Sequence, residues 1–564
     1  MKSGRDYLNF RMTQLRERRS SNISNWKDLR DNFSPFRGKF DDSDHNNGSK
    51  RNRLSNSTPL FAKRTLRSGL MTGITSPARP WFKLAPPDPE MAEFGPVRAW
   101  LDNVQSVMYR VFAASGLYKV LPSVYEECGV FGVGAMMQEE DFENITRFTP
   151  YTAGEYMLGV NNKQKVHMFG REYPMSVYDM IEMFGIDKVS TAVRTQYELG
   201  NYTDEFKVSH LIEPIGENDV EGLHLPGNFA FRSVYWEPEA NEGNAKFLRL
   251  KGYYEFPVLA PRWDTVPGNT YSTSPGMDAL GDAMALQIQE KEKGKAIARM
   301  ASPPTTGPGS MKNSQISLLP GAVNFSDNPD NVLRAIYQID PRINELMMDI
   351  RATEDRINRA FYVDLFLMIA NDSRNQRASA TEIIEKKEEK LLQLGPVLEN
   401  VNDDLLNPMI DRTFNMLVRA SEGAWNGLSS FAVIPPPPPE LDGQDLKVEF
   451  VSILAQAQKM VSTSAIERWI GFAGSVASLG KPEALDKINT DEVIDQMAID
   501  LGVPNKAALT GDEVAEIRAK RAEEAQAAQA TSLAGQAVDG AKSLSQADTT
   551  KQNLLTDVLG QISG

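Results

Sequence analysis

The fold is decided at residues 274–304, SPGMDALGDAMALQIQEKEKGKAIARMASPP. Ser274 and Pro275 are a favourable pair for the N-cap and first turn of a helix, and the prolines at 303–304 end the pattern. Apolar residues recur between these signals at helical spacing, namely Met277, Leu280, Met284 and Ile288. At 1.5 Å per residue, the predicted helix is roughly 40 Å long.

A second helix of matched length is predicted at residues 340–370, DPRINELMMDIRATEDRINRAFYVDLFLMIA, where Asp-Pro repeats the start signal. The intervening segment is rich in Pro and Gly. Within it we expect one strand, QISLLPGAVNF, and a short helix near Val332–Tyr337. Two long helices joined by a small insert predict a projecting stalk capped by a little domain.

On the N-terminal side of the stalk, residues 7–33, 56–82 and 97–137 have helical periodicity, the second with an extended end. From about 136 to 266 the pattern changes to short alternating or aromatic runs separated by Pro, Gly and Asn, with two short amphipathic helices among them. The predicted fold class is therefore mainly α with an α+β region.

On the C-terminal side, a long helix is predicted from Thr381, with a kink at Pro396. The proline tract 435–439 predicts a stiff polyproline II spacer. Short helices follow to about Leu509, and the last segment is rich in Ala, Glu and Gln. That composition predicts an exposed helix, or a helix completed by neighbouring subunits or elements, that fades into a disordered tail.

Composition excludes several classes of protein. A chain of 564 residues allows about three to five domains. Cys128 is the only cysteine, so disulfides and zinc ribbons are excluded and a reducing cytoplasm is expected. The first thirty residues have no apolar signal region, and no stretch reaches 18 apolar residues, so we expect neither a secretory signal nor a membrane span.

The net charge of −14 is unevenly spread along the chain. Residues 1–83 contain 18 Lys and Arg against 7 Asp and Glu, a local charge of +11, and residues 84–564 carry the remaining −25. A basic N-terminal segment thus precedes an acidic body.

No motif for catalysis, metal or cofactor binding is present. The four histidines lack ligand spacing, no phosphate-binding P-loop occurs, and no GxSxG motif is found. The glycines of CGVFGVG, 128–134, indicate close packing of a helix end against a strand rather than a dinucleotide loop. The acidic pairs Glu126/Glu127 and Glu139/Glu140 are interpreted as ordinary solvated faces. No catalytic residue, cofactor or metal is predicted.

Two sets of basic residues are candidates for contact with an anionic partner. Arg374 and Arg377 flank the polar break NDSRNQRASA, where a loop could present them to nucleic acid; the alternative is a solvated helix connection. The stalk carries charges of alternating sign, which usually mark a solvated or interfacial helix face, with direct DNA contact as the alternative. The stalk candidates are Lys291, Lys293, Lys295, Arg351, Arg356 and Arg359.

The chain resembles the portal, or head-to-tail connector, proteins of short-tailed double-stranded DNA phages over almost its full length. Five stretches carry the resemblance: TPLFAKRTLRSGLMTGITSPARPWFKL at 58–84, EFPVLAPRWDTVPGNTYSTSPGMDALGD at 255–282, ASATEI at 378–383, LGPVLENVNDDLLNPMIDRTFNML at 394–417, and PPPPELDGQDLKVEFVSILAQAQK at 436–459. The second and fourth are the most specific. The chain departs from the family pattern at Ser272, where Gly is expected, and at Ile453, where Pro is expected.

The resemblance implies a portal fold with a wing, a two-helix stem, a small clip, a helical crown and a C-terminal barrel-like helix. The implied boundaries are 1–273 for the wing, 274–302 and 341–370 for the stem helices, 303–340 for the clip, 371–380 for a tunnel loop, 381–419 for a long kinked helix joining wing and crown, 420–509 for the crown, and 510–564 for the barrel or tail. In this mapping Arg374 and Arg377 move into a central channel.

The implied function is that of a non-enzymatic ring of twelve copies at one capsid vertex of the virion, made in the host cytoplasm. Double-stranded DNA would pass through the ring, and the implied protein partners are the major capsid protein, scaffold, the packaging terminase and then a tail adaptor. The basic segment 1–83 would contact coat, scaffold or DNA, so trimming residues 1–30 should weaken capsid incorporation more than ring formation. The alternatives are a coat or tail-tube subunit and a nucleic-acid-processing packaging enzyme.

Overall fold

A computed structural model describes residues 4–41, 44, 54–86, 88, 91, 94–216, 222–240, 247–301, 305–306, 334–335, 343–370, 393–421, 433–441, 446–451, 466, 469–478, 486–500 and 514–528. The chain divides into two compact units. One comprises Met1–Ala85 and Ala99–Arg468, and the other comprises Pro86–Arg98 and Trp469–Gly564.

The N-terminal part is helical. Its elements are α1 (Gly4–Phe33), α2 (Thr58–Ile74), the short strand β1 (Phe82–Ala85), α3 (Gly95–Ala114) and α4 (Leu117–Phe131). The helical region predicted over 97–137 ends at the glycines of CGVFGVG as expected, since α4 is capped by Gly132, but the chain also breaks at Gly116, which the prediction lacked. Both glycines have left-handed φ angles, 76° and 86°, which residues with a side chain rarely adopt.

The predicted α+β region is confirmed. It contains β2 (Ala135–Asp141), β3 (Ile145–Tyr151), β4 (Tyr156–Val160), β5 (Val166–Ser176), α5 (Val177–Phe184), α6 (Thr191–Glu198), β6 (Glu205–Pro214), β7 (Phe231–Trp236), β8 (Arg249–Tyr253) and β9 (Val258–Leu259). One antiparallel sheet has the order β4-β5-β6-β7-β8, and a smaller one has the order β3-β2-β9.

Helices cover both faces of the five-stranded sheet. On one face α1 buries Leu8, Met12 and Leu15 against a cluster that includes Trp236. A Cβ atom on Gly170 of β5 would lie 2.8 Å from the sulfur of Met12, so the glycine permits this close approach. On the other face, α5 and α6 pack against a different set of strand side chains. The N-terminal helix is therefore part of the sheet's hydrophobic core.

The two stalk helices form where they are predicted. The first comprises the single turn α7 (Pro275–Asp278) and then α8 (Leu280–Ala301). The side chain of Ser274 accepts a hydrogen bond from the Met277 amide, as an N-cap should. Two strands of the insert, β10 (Thr305–Thr306) and β11 (Arg334–Ala335), pair antiparallel. The prediction of a short helix near Val332–Tyr337 is therefore wrong for its central residues, Arg334 and Ala335, because their backbone pairs with the strand β10.

The second stalk helix is interrupted, unlike its prediction. It consists of α9 (Ile343–Ala360) and α10 (Val363–Ala370), separated by Tyr362 with a φ angle of 54°. Phe361 packs against Phe33 at 5.3 Å between ring centroids, whereas Tyr362 lies 6.1 Å from the Trp263 ring. We infer that the break is stabilised because these two adjacent rings pack against different partners, Phe33 and Trp263.

The kink predicted at Pro396 stays a prediction, because the turn before this proline begins outside the described residues. Residues 393–401 are helical, and an irregularity that was not predicted lies in a π-helical segment, Asn402–Leu406, before α11 (Asn407–Arg419). Pro408 cannot donate an amide hydrogen to a carbonyl of the preceding turn, and the Asn407 amide instead bonds to the Asn402 carbonyl.

The remaining described elements follow the proline tract or lie in the second unit. A 3₁₀ turn spans Pro439–Leu441, and β12 (Lys447–Phe450) pairs antiparallel with β1. In the second unit, residues 469–478 and 514–528 and the helix α12 (Thr490–Asp500) are helical. The strand expected in QISLLPGAVNF, the helix start at Thr381 and most of the C-terminal tail lie outside the described residues.

Candidate functional site

The two loop arginines, Arg374 and Arg377, lie outside the described residues, as does the whole span 371–392. Their role in a channel therefore stays a prediction.

The six basic stalk candidates separate into two groups. Three of them form ion pairs within the stalk: Lys293 with Glu290, Lys295 with Glu292, and Arg356 with Asp282. The other three are exposed and form no ion pair with another described residue, namely Lys291, Arg351 and Arg359. The alternating charge pattern thus contains internal pairs and free cations together.

The two stalk helices run antiparallel and bind each other through polar contacts. Arg356 donates to Asp282 at 2.9 Å, and Gln289 donates to Asp349 at 2.6 Å. The stalk is also tied to the start of α2, where the Asn56 side chain donates to Glu354 at 2.8 Å. These contacts fix the register of the hairpin at its base.

A joint connects the two stretches that carry the resemblance most specifically. Arg262 follows β9, and Asp404 lies in the π-helical segment. The Arg262 guanidinium donates two hydrogen bonds to the Asp404 carboxylate, at 2.8 and 3.1 Å, and both side chains are nearly buried. Asn400 donates to the Trp263 carbonyl at 3.2 Å beside them. We call this set the 262/404 joint.

A second contact between the same stretches centres on Glu255. Arg412 of α11 donates to both the carbonyl and the carboxylate of Glu255 at 2.9 Å, and Arg419 donates to the same carboxylate at 3.1 Å. Burial lowers the pKa of Arg412, although the charge of Glu255 acts in the opposite direction. In the sequence, the signal for both contacts is a charged residue within a largely apolar stretch. That signal does not identify the residue with which the charge pairs.

The interpretation of Glu126 and Glu127 as solvated is wrong. Both are buried in α4, and Glu126 accepts hydrogen bonds from Arg37 at 2.9 Å, Lys63 at 2.7 Å and Arg67 at 3.0 Å. Burial alone would raise the pKa of Glu126, but the charges of Lys63 and Arg37 outweigh it and lower the pKa. For Glu127, burial dominates and raises the pKa. A buried charge needs such partners, and here they come from the basic N-terminal segment.

Much of that N-terminal basic charge is neutralised inside the molecule. Ion pairs to acids of the later chain involve Arg11 with Glu213, Arg16 with Glu172, Lys39 with Glu155, and the Glu126 cluster just described. Others are local, such as Lys27 with Asp41. Tertiary ion pairs therefore offset part of the charge imbalance of the sequence.

Glu139 and Glu140 also have partners. Glu139 lies opposite Arg147 across the β2–β3 hairpin and accepts from it at 2.8 Å, and Glu140 pairs with Arg419. The interpretation of this acidic pair as an ordinary solvated face is therefore incomplete, because both carboxylates are engaged in ion pairs.

The glycines of CGVFGVG confirm the predicted close packing. A Cβ atom on Gly132 would meet the Ser272 carbonyl, and one on Gly134 would meet the Val124 carbonyl at 2.5 Å. Ser272, where the family pattern has Gly, donates to the Gly132 carbonyl and so belongs to this contact.

The part of the chain that the structure describes contains no group of three or more His, Cys, Asp or Glu side chains that could hold a metal ion. None of the helices in that part is both long enough and apolar enough to cross a bilayer. The lone Cys128 is buried, and burial raises its pKa.

Two solved structures of gene transfer agent particles show weak similarity. The neck of an empty particle, computed with C6 symmetry, is 10% identical, with a TM-score of 0.31, over 68% of this chain and 91% of that one. The virion of the native particle is 9% identical, with a TM-score of 0.29, over the same shares.

Sequence comparison gives much stronger matches. The family model described as bacteriophage head to tail connecting protein matches residues 5–509. A probable portal protein of Bordetella phage BPP-1 is 41% identical over 563 residues, which is 99% of both chains. The portal protein of Salmonella phage epsilon15 is 41% identical over 552 residues, 97% of this chain and 96% of that one.

Proposed function

Because the chain belongs to the family of bacteriophage head-to-tail connecting proteins, we propose that it forms a ring of twelve copies at one capsid vertex. Double-stranded DNA enters the head through this ring during packaging and leaves through it at infection. The observation that carries the proposal is the 41% identity to two phage portal proteins over nearly the whole length of each chain. The ring acts as a structural conduit, not as an enzyme.

The proposed domain organisation follows the family mapping. The wing spans 1–273, the stem consists of 274–302 and 341–370, and the clip at its tip spans 303–340. The tunnel loop is 371–380, the long joining helix is 381–419, the crown is 420–509, and the barrel or tail is 510–564. The antiparallel stalk hairpin and the two short strands in its insert support this arrangement.

The proposed channel holds DNA without binding it tightly. Each phosphate neutralised by a cation adds a salt-dependent contribution to affinity, and many such contacts would make the duplex stick. Twelve copies at −14 carry a net charge of −168, which opposes capture. A few cations, repeated around the ring, then supply a weak grip. Arg374 and Arg377 in the proposed tunnel loop are candidates for this grip.

Within the stem, the cations without ion pairs are the better DNA candidates. Lys291, Arg351 and Arg359 are exposed, and they lack an ion-pair partner among the described residues. Lys293, Lys295 and Arg356 already contact carboxylates, so each would have to break an ion pair to bind phosphate.

The proposed partners act in sequence. The wing contacts the major capsid protein and scaffold, while the clip first docks the packaging terminase and later the tail adaptor. Residues of the clip that would make these contacts lie largely outside the described part of the chain.

Negative-stain images of the purified protein test the proposal. We expect rings with twelve-fold symmetry and a central hole, since a conduit must enclose the duplex. Monomers or filaments under all assembly conditions would contradict it. A nucleotide hydrolysis assay on the same sample tests the enzymatic alternative, and clear turnover would overturn the structural assignment.

A further inference from the structure

An open polar cleft lies beside the N-terminal helix, apart from the stalk. It has a volume of about 680 Å³. Three segments form it: the middle of α1 at Arg18–Asn22, the turn between β4 and β5, and the loop 268–271. The turn is well defined, because the Asn161 side chain accepts hydrogen bonds from the Lys163 and Lys165 amides at 2.9 and 3.0 Å.

The lining of the cleft is rich in hydrogen-bond donors. None of the described residues that line it is acidic. A typical small-molecule pocket is mostly apolar with only a few polar groups, so this cleft has a different character. The amide and hydroxyl groups of the lining can donate or accept hydrogen bonds, whereas the Arg18 guanidinium only donates and carries a positive charge, so an anionic ligand that accepts hydrogen bonds fits this lining. The guanidinium, amide and hydroxyl groups include those of Arg18, Asn22, Asn161, Asn162, Asn269 and Thr270.

The cations at the cleft are free to contact a ligand. Arg18 is exposed and has no ion pair with another described residue, unlike its neighbours Arg11 and Arg16 on α1. Lys163 and Lys165 occupy the turn that forms one wall, and both are exposed and likewise unpaired within the described chain. Arg18 lines the cleft itself, whereas Lys163 and Lys165 lie in the adjoining turn without lining it, so the three cations make this region locally positive on a chain whose net charge is −14.

We propose that this cleft binds the phosphodiester backbone of duplex DNA. Phosphate oxygens only accept hydrogen bonds, and arginine, lysine and side-chain amides are the groups that commonly donate to them. The binding would be independent of base sequence, because the residues meet the backbone rather than base edges. The site lies in the proposed wing, so it is distinct from the loop and stem candidates for the channel, and it requires neither of them.

Binding of a short fluorescent duplex to the assembled full-length protein tests the proposal over a series of salt concentrations. The variant Arg18→Ala/Lys163→Ala/Lys165→Ala should bind more weakly. The slope of log affinity against log salt should become shallower by about 0.9 for each phosphate that the variant no longer neutralises.

The matched control removes three exposed and unpaired cations elsewhere in the described chain. This variant, Arg79→Ala/Lys188→Ala/Lys207→Ala, should retain the slope of the parent protein. Equal slopes for both variants and the parent protein would overturn the proposal.

Site-directed crosslinking gives a second, independent readout. Cys128 is buried, so a cysteine introduced at the surface can carry a photo-crosslinker selectively. Asn162→Cys lies in the cleft and should crosslink to duplex DNA, whereas Asn201→Cys, in an exposed turn after α6, should not.

Two outcomes of these experiments would assign the binding elsewhere. If excess polyglutamate abolishes the crosslinking and excess unlabelled duplex does not, the cleft binds an acidic polypeptide. That outcome would contradict the DNA assignment. If only the substitution of Arg374 and Arg377 abolished duplex binding, all DNA binding would lie in the channel. That result would overturn the proposal that the cleft binds DNA, without affecting the proposed conduit.

Discussion

Glu126 shows how a single carboxylate organises the base of the N-terminal region. It receives hydrogen bonds from Arg37, Lys63 and Arg67, which lie 59 to 89 residues away in sequence. In a buried site, removing one partner leaves the others as uncompensated charges, which costs more than the net stability of the pair. Glu126 is therefore a structural residue of α4 rather than a surface acid.

The substitution Glu126→Gln is expected to lower the free energy of unfolding by about 3–5 kcal/mol, because the buried Lys63 loses its carboxylate partner. The part-buried Arg67 loses the same partner, whereas Arg37 keeps its ion pair with Glu127. Urea unfolding followed by circular dichroism measures this change. Glu17→Gln, at an exposed position of α1, is the matched control and should change stability by less than about 0.5 kcal/mol. Similar small effects for both variants would show that the cluster is solvated.

His210 is a second buried residue with an unusual environment. It lies on β6 between Arg171 of β5 and Tyr235 of β7, and its ring stacks on Tyr235 at 3.7 Å between centroids. Its Nε2 atom lies 2.9 Å from the Ser233 hydroxyl. Burial, assisted by the charges of Arg171 and Arg249, lowers the pKa of His210 well below its usual range. The folded protein therefore holds this histidine neutral.

Stability should fall as pH decreases below about 6.5, because the unfolded chain then binds a proton at this histidine that the folded chain does not. His210 contributes up to about 1.4 kcal/mol per pH unit to this dependence. We expect His210→Gln to have a shallower pH dependence of the free energy of unfolding between about pH 6.5 and 5, measured by urea titration at each pH. A His210→Gln variant that kept the slope of the parent protein would contradict the assignment.

Among the elements, the π-helical segment has an architectural role. It places Asp404 against Arg262 in a two-bond contact between residues 142 positions apart. Aligned guanidinium and carboxylate groups of this kind form strong, directional pairs. The joint thereby connects the long helical segment after 393 to the end of the α+β region.

A double-mutant cycle measures the strength of the 262/404 joint. Arg262→Met and Asp404→Leu should each lower the free energy of unfolding. The double variant should lower it by less than the sum of the two single losses. The expected coupling free energy is about 1–3 kcal/mol, from chemical denaturation of all four proteins. As a control, the exposed pair Lys295 and Glu292 should show no measurable coupling, because solvent screens exposed charges. Additive effects at 262 and 404 would mean that the two groups do not act together.

The helices and strands could be predicted where local chemistry alone selects them. Ser274-Pro275 starts a helix because the cap and the proline act within one turn, and the alternating strands follow from side-chain period. The break at Tyr362 could not be predicted in the same way. It depends on which distant side chains Phe361 and Tyr362 pack against, namely Phe33 and Trp263.

At the scale of the whole molecule, the two groups of stem cations make a direct test of the proposed channel. The variant Lys291→Ala/Arg351→Ala/Arg359→Ala should reduce DNA packaging or retention and weaken the salt dependence of duplex binding by the assembled ring. The matched control, Lys293→Ala/Lys295→Ala/Arg356→Ala, removes the same number of charges from internal ion pairs. Equal effects of the two variants would show that free stem cations have no particular role in holding DNA.

The basic N-terminal segment also has to be reconsidered at this scale. Removing residues 1–30 would delete much of α1, including Leu8, Met12 and Trp26 in the core. Such a truncation would expose one face of the five-stranded sheet, so it cannot separate capsid attachment from ring formation. Substitution of exposed cations such as Arg18 addresses the charge without removing the core.

The family, the order of helices and strands, and the absence of familiar catalytic motifs can all be obtained from the amino-acid sequence, because each depends on near neighbours or on similarity over long stretches. The tertiary structure alone decides which charges are free. Arg16 and Arg18 lie two residues apart on one helix, yet only Arg16 meets a described carboxylate, that of Glu172. Glu126 is buried although a charged side chain is usually solvated. The physical reason is that ion pairing and desolvation depend on distances between residues far apart in the chain, and only the packed fold determines those distances.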